Sequence, residues 1–383
     1  MESSVNYQFW LLLALILVGG ALIYAYFFRR KEDSRSGDNS YLKALQFLTE
    51  NDYRRAVEKL KEAVRQDSGN LEAYNKLGDV LREQGLLNNA IRIHKDLTLR
   101  ATIKPDALIK AYFSLGLDYW KAKKYEKAET FFSKVTSDPL YGLKVIPYLL
   151  KYFELNEDYG KAIDLLKEKG LQKAEKYKHR LALYKVLLGL QAQQQGEAKN
   201  ARILYREAIK IDSGFAAPYL YIGDSYLAEG KSDEAIKFWT EFCQKNPSKA
   251  YMLFPRLEKA WYEKGKFTKI EELYASILKN DPKNVHALLA LSKILRKKGE
   301  FDNAASILQE YIHPDMDQEL IEFEEANILF DQGRFEDAGE KALKLLNEKI
   351  SYYAPVYKCP ACGHVSDEPF WKCPECKALN LEL

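Results

Sequence analysis

An alanine-type position recurs along most of this chain at a nearly constant interval. It falls at Ala56, Ala90, Ala128, Ala162, Ala201, Ala235, Ile270, Ala304 and Ala338, with spacings of 34, 38, 34, 39, 34, 35, 34 and 34 residues. Around it the same grammar returns: a helix with a small residue inside, a glycine turn, an aromatic or similar residue, then a second helix opened by the anchor. LGDVLREQGLLNNA, LGLDYWKAKKYEKA, IGDSYLAEGKSDEA and ANILFDQGRFEDA are good copies. One such helix pair cannot bury its apolar face alone. Stacked neighbours can, so about nine units from Tyr41 to Glu348 predict one continuous all-α solenoid rather than several globules.

The residue choices have packing reasons. Twelve positions before the anchor stand Ala44, Gly78, Gly116, Gly189, Gly223, Ser292 and Ala326, small side chains that let the first helix lie close against the second. Five before it stand Gly85, Gly196, Gly230, Gly265, Gly299 and Gly333, which can end the first helix in a left-handed turn. The period and grammar resemble the tetratricopeptide repeat. Two copies depart: the fourth has Leu150 at the small position, and the seventh has Glu258 there with Ile270 as anchor. Irregular helix spacing is expected at both. The long intervals place extra residues around Thr98–Asp106 and Gly170–Lys178, which should bend the superhelix or lengthen a loop.

Solenoids of this kind present a concave surface suited to an extended peptide or a partner helix. The recurring aromatics Tyr112, Trp120, Tyr219, Tyr221, Trp239 and Trp261 lie at helical spacing, so most are expected in the core. Basic runs such as Lys121–Lys124 and Arg296–Lys298 fall near helix ends, where cations complement the helix dipole. No phosphate-binding glycine loop, zinc-protease motif or nucleophile elbow occurs, and His94, His179, His286 and His313 are scattered over different repeats. A catalytic cluster is therefore not expected. A net charge of +3 on 383 residues gives no footprint for nucleic-acid binding.

The chain ends in Cys359-Pro-Ala-Cys362-Gly and Cys373-Pro-Glu-Cys376. Paired C-x-x-C hairpins supply four thiolates to one tetrahedral metal; two disulfides are the rival pattern. Zinc in a structural role is the expected occupant, with iron as the alternative. Gly363 follows the first pair, but Lys377 follows the second where a left-handed residue is wanted, so that turn should carry strain or a modified geometry. His364 is read as a neighbour of a saturated site and not a ligand. Residues 351–383 are too few to fold on apolar burial, so metal binding should supply their stability. The fifth cysteine, Cys243, sits in an apolar helical stretch and reads as a small buried hydrophobe.

From Phe9 to Phe28 twenty residues carry no charge, enough to span about 30 Å of hydrocarbon as a helix. A signal peptide would carry its cations before the apolar run, whereas Arg29-Arg30-Lys31 follow it. One membrane helix is expected, with the remainder on the cytoplasmic side. The predicted organisation is an anchor at 1–30, a polar tether at 31–40, the repeat array at 41–350 and the metal module at 351–383.

This arrangement resembles the lipopolysaccharide assembly protein B family of Gram-negative bacteria, most specifically through GDVLREQGLLNNAIRIHKDL at Gly78–Leu97, YKCPACG, and FWKCPEC with Trp371 two residues before the third cysteine. The resemblance implies a regulator at the cytoplasmic face of the inner membrane. It implies as partners the membrane-anchored ATP-dependent metalloprotease FtsH, the deacetylase that commits the cell to lipid A synthesis, and other lipopolysaccharide assembly proteins, and it leaves homo-oligomerisation open. It matches Cys359, Cys362, Cys373 and Cys376 to the family's ligands, for a zinc or iron centre of rubredoxin type. A general membrane scaffold and an electron carrier with an iron site are the other readings of the same features.

Overall fold

The computed structural model describes residues 17, 18, 20, 21, 23, 24, 39–101, 103–347 and 357–380. Its repeats are helix pairs throughout, and the chain divides into two compact units between Glu157 and Asp158. In the first unit lie α1 (39–49), α2 (Tyr53–Gln66), α3 (Leu71–Glu83), α4 (Leu87–Thr98), α5 (Pro105–Lys121), α6 (Tyr125–Ser133) and α7 (Gly142–Leu155). The second holds α8 (Tyr159–Glu168), α9 (Glu175–Gln194), α10 (Ala198–Ile211), α11 (Ala216–Ala228), α12 (Ser232–Lys245), a 3-10 stretch (Pro247–Leu253), α13 (Phe254–Glu263), α14 (Thr268–Asn280), α15 (Val285–Lys297), α16 (Phe301–Tyr311), α17 (Gln318–Asp331) and α18 (Phe335–Asn347). Two short strands, β1 (Tyr357–Lys358) and β2 (Val365–Ser366), close it.

The division falls inside the fourth repeat, the copy whose small position is Leu150. The extra residues of the two long intervals enter helices as well as loops: α5 has 17 residues and α9 has 20, against 13 in α3, α11 and α15. The expectation of a longer loop or a bend is corrected to that extent. Pro105 stands at the start of α5, where its missing N–H costs nothing, and no breaker follows it.

The turn five residues before each anchor is left-handed in all nine repeats. The six predicted glycines have φ between 67° and 82°, and Asn51, Lys123 and Glu157 adopt 59°, 57° and 58° at the equivalent place. A side chain costs about 1–2 kcal/mol there, offset in part by the entropy that glycine loses on folding. Lys123→Gly is therefore expected to stabilise the protein by about 0.5–1 kcal/mol, read as a higher urea midpoint. A lower midpoint would mean that the lysine side chain supports the turn.

In six of the repeats the helix pair is crossed by a side chain four residues after the anchor, seated on the small residue of the first helix. A Cβ added to Gly78, Gly116, Gly189 or Gly223 would come within 3.0 Å of the rings of His94, Phe132, Tyr205 and Trp239 respectively. All four rings are fully buried. Trp239 also donates through Nε1 to the Leu220 carbonyl at 3.3 Å. Where the small residue is Ala44 or Ser292, the side chain at the seating position is Leu60 or Leu308, both fully buried. Larger rings thus stand opposite glycines, and the volume is conserved.

The seventh repeat breaks this rule as expected. Glu258 replaces the small residue, and the hydroxyl of Tyr274, itself buried, donates to its carboxylate. α13 and α14 accordingly touch far less than the other helix pairs of this unit.

His94 belongs to a buried polar cluster in the first unit. Its Nδ1 lies 2.5 Å from Asp118 Oδ2 and its Nε2 3.1 Å from the Asn75 carbonyl, while Arg82 donates to Asp118 at 2.9 Å and to Asp79 at 2.7 Å. His94 and Asp118 have no exposed surface, so this network ties α3, α4 and α5 together from inside the unit.

Of the apolar run at Phe9–Phe28, only residues 17, 18, 20, 21, 23 and 24 are described, and these are helical and exposed. The rest of that run and residues 31–38 lie outside the described residues. Among the described residues no helix is long and apolar enough to cross a membrane.

Candidate metal centre

Each cysteine pair sits on a tight turn whose backbone is held by its own hydrogen bonds. In the first, Cys359 N–H donates to the His364 carbonyl at 2.8 Å and Gly363 N–H to the Cys359 carbonyl at 2.9 Å. In the second, Cys373 N–H donates to Ala378 at 2.8 Å and Lys377 N–H to Cys373 at 3.1 Å. Residues 363 and 377 close the turns with φ of 76° and 59°, so Lys377 takes the left-handed conformation that its side chain disfavours. β1 and β2 pair antiparallel, Tyr357 with Ser366 and Lys358 with Val365, and Lys372 bridges to Leu379.

The turns bring four sulfurs together. Cys359 Sγ lies 3.7 Å from Cys376 Sγ and Cys362 Sγ 3.7 Å from Cys373 Sγ, and all four lie within 4.8 Å of one another. Zinc–thiolate bonds of about 2.3 Å require tetrahedral edges of about 3.8 Å. None of the four is in a disulfide. The donor set fits one metal ion held by four cysteines, and such an ion would cross-link the two turns. Burial opposes ionisation of Cys359, but the N–H groups of Cys362 and Ala361 outweigh it and bring that thiol down to about 7, toward the thiolate that a metal needs. His364 contributes its carbonyl to the first turn, and its ring lies 5.6 Å from that of Phe370. Cys243 is buried beside the Ala250 carbonyl, and desolvation pushes its thiol up to about 12, which fits the inert role expected of it.

The metal module packs against the repeats of the second unit. Trp371, 3 % exposed, meets the edges of Phe215 at 5.8 Å and Tyr221 at 6.1 Å. Lys372 donates to the Tyr159 hydroxyl at 2.9 Å. Desolvation raises Tyr221 to about 12 and raises the Asp224 carboxyl, although Arg256 donates to Asp224 at 3.0 Å; Glu368 of the module lies close enough to add to both shifts.

Among the aromatics singled out in the sequence, Tyr219, Trp239 and Trp261 are core residues, while Tyr221 reaches the module. The docking residues Phe215 and Tyr159 escaped the sequence reading. The available signal was Trp371, a ring too large for so short a segment to bury by itself. The histidines do not converge: His94 is in the first unit, His179 pairs with Asp212 at 2.8 Å, and His286 stacks on Tyr251 at 4.2 Å.

Family comparison agrees with this geometry. A rubredoxin metal binding domain matches residues 357–380, and tetratricopeptide repeats match 41–102, 109–137, 219–248 and 262–322. These features define a tetratricopeptide-repeat scaffold, not an enzyme, with a four-cysteine metal centre of rubredoxin type. Lipopolysaccharide assembly protein B of Escherichia coli K12 is 24 % identical over 92 % of this chain and 90 % of its own length, and that of Haemophilus influenzae Rd is 20 % identical over 95 % and 96 %. Along nearly its whole length the chain is thus similar to lipopolysaccharide assembly protein B. The TPR2AB-domain:pHSP90 complex of yeast Sti1 aligns with 72 % of this chain and 96 % of that chain at 20 % identity and a TM-score of 0.33, too loose a likeness to argue from.

Proposed function

We propose that this chain acts in lipopolysaccharide assembly as an adaptor for regulated proteolysis. It would be anchored in the bacterial inner membrane by the Phe9–Phe28 segment, with its repeats on the cytoplasmic side, and would present the lipid A-committing deacetylase to an FtsH-type membrane protease. The observation that carries the reading is the match to lipopolysaccharide assembly protein B along nearly the whole length of both chains. Tethering supplies the mechanism: a client held by an array anchored in the protease's own membrane meets it at a raised effective concentration. The metal module contributes a surface fixed to the repeats, not chemistry.

The half-life of the deacetylase, followed in the native host after protein synthesis is blocked, tests this. Depletion of the adaptor is expected to lengthen it several-fold. An unchanged half-life would replace proteolysis with general scaffolding of membrane complexes.

A further inference from the structure

The departures of the seventh repeat leave an opening. Between α13, α14 and α15 lies an open cavity of about 770 Å³ with an apolar floor of Pro255, Tyr262, Phe267, Ile270 and Ile294. Two of its residues, Glu258 and Ile270, are the ones that replace the small residue and the alanine of the other repeats. Their bulk at the point of closest approach holds the helices apart. Tyr262 and Phe267 are 69 % and 49 % exposed and meet edge-on at 5.2 Å, so this pair of rings faces outward with nothing over it among the described residues.

The charges around the floor are unequally satisfied. Glu258 accepts from Tyr274, and Lys298 is engaged by Glu271 at 3.2 Å and Glu300 at 2.7 Å. Lys259 and Lys297, both exposed on the rim, have no carboxylate within 4.0 Å among the described residues. Oε1 of Glu271 is buried without a hydrogen-bond donor. The site therefore asks for an apolar body flanked by carboxylates.

We infer that this cavity is a docking groove for an amphipathic helix of a protein partner, its apolar face in the cleft and its acidic flanks on Lys259 and Lys297. Pro255 and Tyr262 bracket two turns of α13, about 10 Å, the length over which a docked helix presents anchors at i, i+3, i+4 and i+7. That the helix belongs to a proteolytic client rests on the reading above; the chemistry of the groove does not.

Fluorescence anisotropy of a labelled synthetic helix tests it on the full chain in detergent. The probe carries leucines at the four anchor positions and glutamates beside them, and its counterpart carries lysines instead of glutamates. The acidic probe should bind, and Phe267→Ser or the pair Lys259→Glu and Lys297→Glu should each weaken it about tenfold or more. The charge-reversed protein should prefer the lysine probe. These residues are exposed, and unchanged circular dichroism establishes that the variants fold. No binding of the acidic probe, equal binding of both probes, or affinity indifferent to the variants overturns the groove. The deacetylase half-life separately decides whether its occupant is a proteolytic client, so the two failures are distinguishable.

Discussion

Stripping the metal is expected to unfold residues 357–380 and leave α9–α18 helical. The segment has two strands of two residues each and a single bridge beyond them, far too little apolar burial to offset its chain entropy. Metal binding in small zinc modules is worth about 10–16 kcal/mol, and here it would be folding energy. In the holoprotein the amides of Cys359, Cys373 and Asn380, which donate to His364, Ala378 and Trp371, should exchange slowly with deuterium. After chelation, or in the Cys373→Ser, Cys376→Ser variant, they should exchange at unprotected rates, while amides inside α11 and α15 stay protected. Acid should act in the same direction, because protons compete with the metal for the thiolates. Protected amides without metal would show that the two turns fold on their own. If only Trp371 moved, its seat on Phe215 and Tyr221 would be the metal-dependent element.

The second large effect lies in the repeats. Gly223→Ala should destabilise the protein by about 1–3 kcal/mol or more, because its Cβ meets the indole of Trp239 and the helices must separate or the ring leave its rotamer. Trp239→Leu alone should cost about 3–5 kcal/mol through the cavity it opens and the lost hydrogen bond to Leu220. The combination Gly223→Ala, Trp239→Leu should cost less than the sum of the two by more than about 1 kcal/mol. It reproduces the small-residue and leucine choices of the repeats bearing Ala44 with Leu60 and Ser292 with Leu308. Urea unfolding followed by circular dichroism measures all three; strict additivity would mean that glycine and ring are not in register.

Much of this molecule was legible because repetition turns each residue choice into several observations. Six glycines at one offset predict six left-handed turns, and four cysteines in two hairpins predict a tetrahedral cluster. What escaped detection depended on single positions. Asn51, Lys123 and Glu157 take the glycine conformation without being glycine, since the turn's hydrogen bonds impose it. The extra residues of the long intervals become helix in α5 and α9 because nothing in those segments stops one. The contact of Trp371 with Phe215 and Tyr221 joins residues some 150 apart in the chain, a distance over which no periodicity speaks. The seventh repeat falls between: its irregularity was readable from Glu258 and Ile270, but a cleft is a property of the helices that those residues keep apart.

The ring seated on each small residue also answers a problem peculiar to chains made of one motif. Helices of similar length and composition are interchangeable partners while the array is assembling, and a shift by one repeat would preserve most apolar contacts. Here the first eight units carry Leu60, His94, Phe132, Leu166, Tyr205, Trp239, Tyr274 and Leu308 at the same seat, so that no two neighbours are alike. Trp239 does not fit over Ala44, and Leu60 over Gly223 leaves a void. Neighbouring motifs thus differ in side-chain volume at the seat, and a shift by one repeat is opposed by shape even though their backbones are nearly alike.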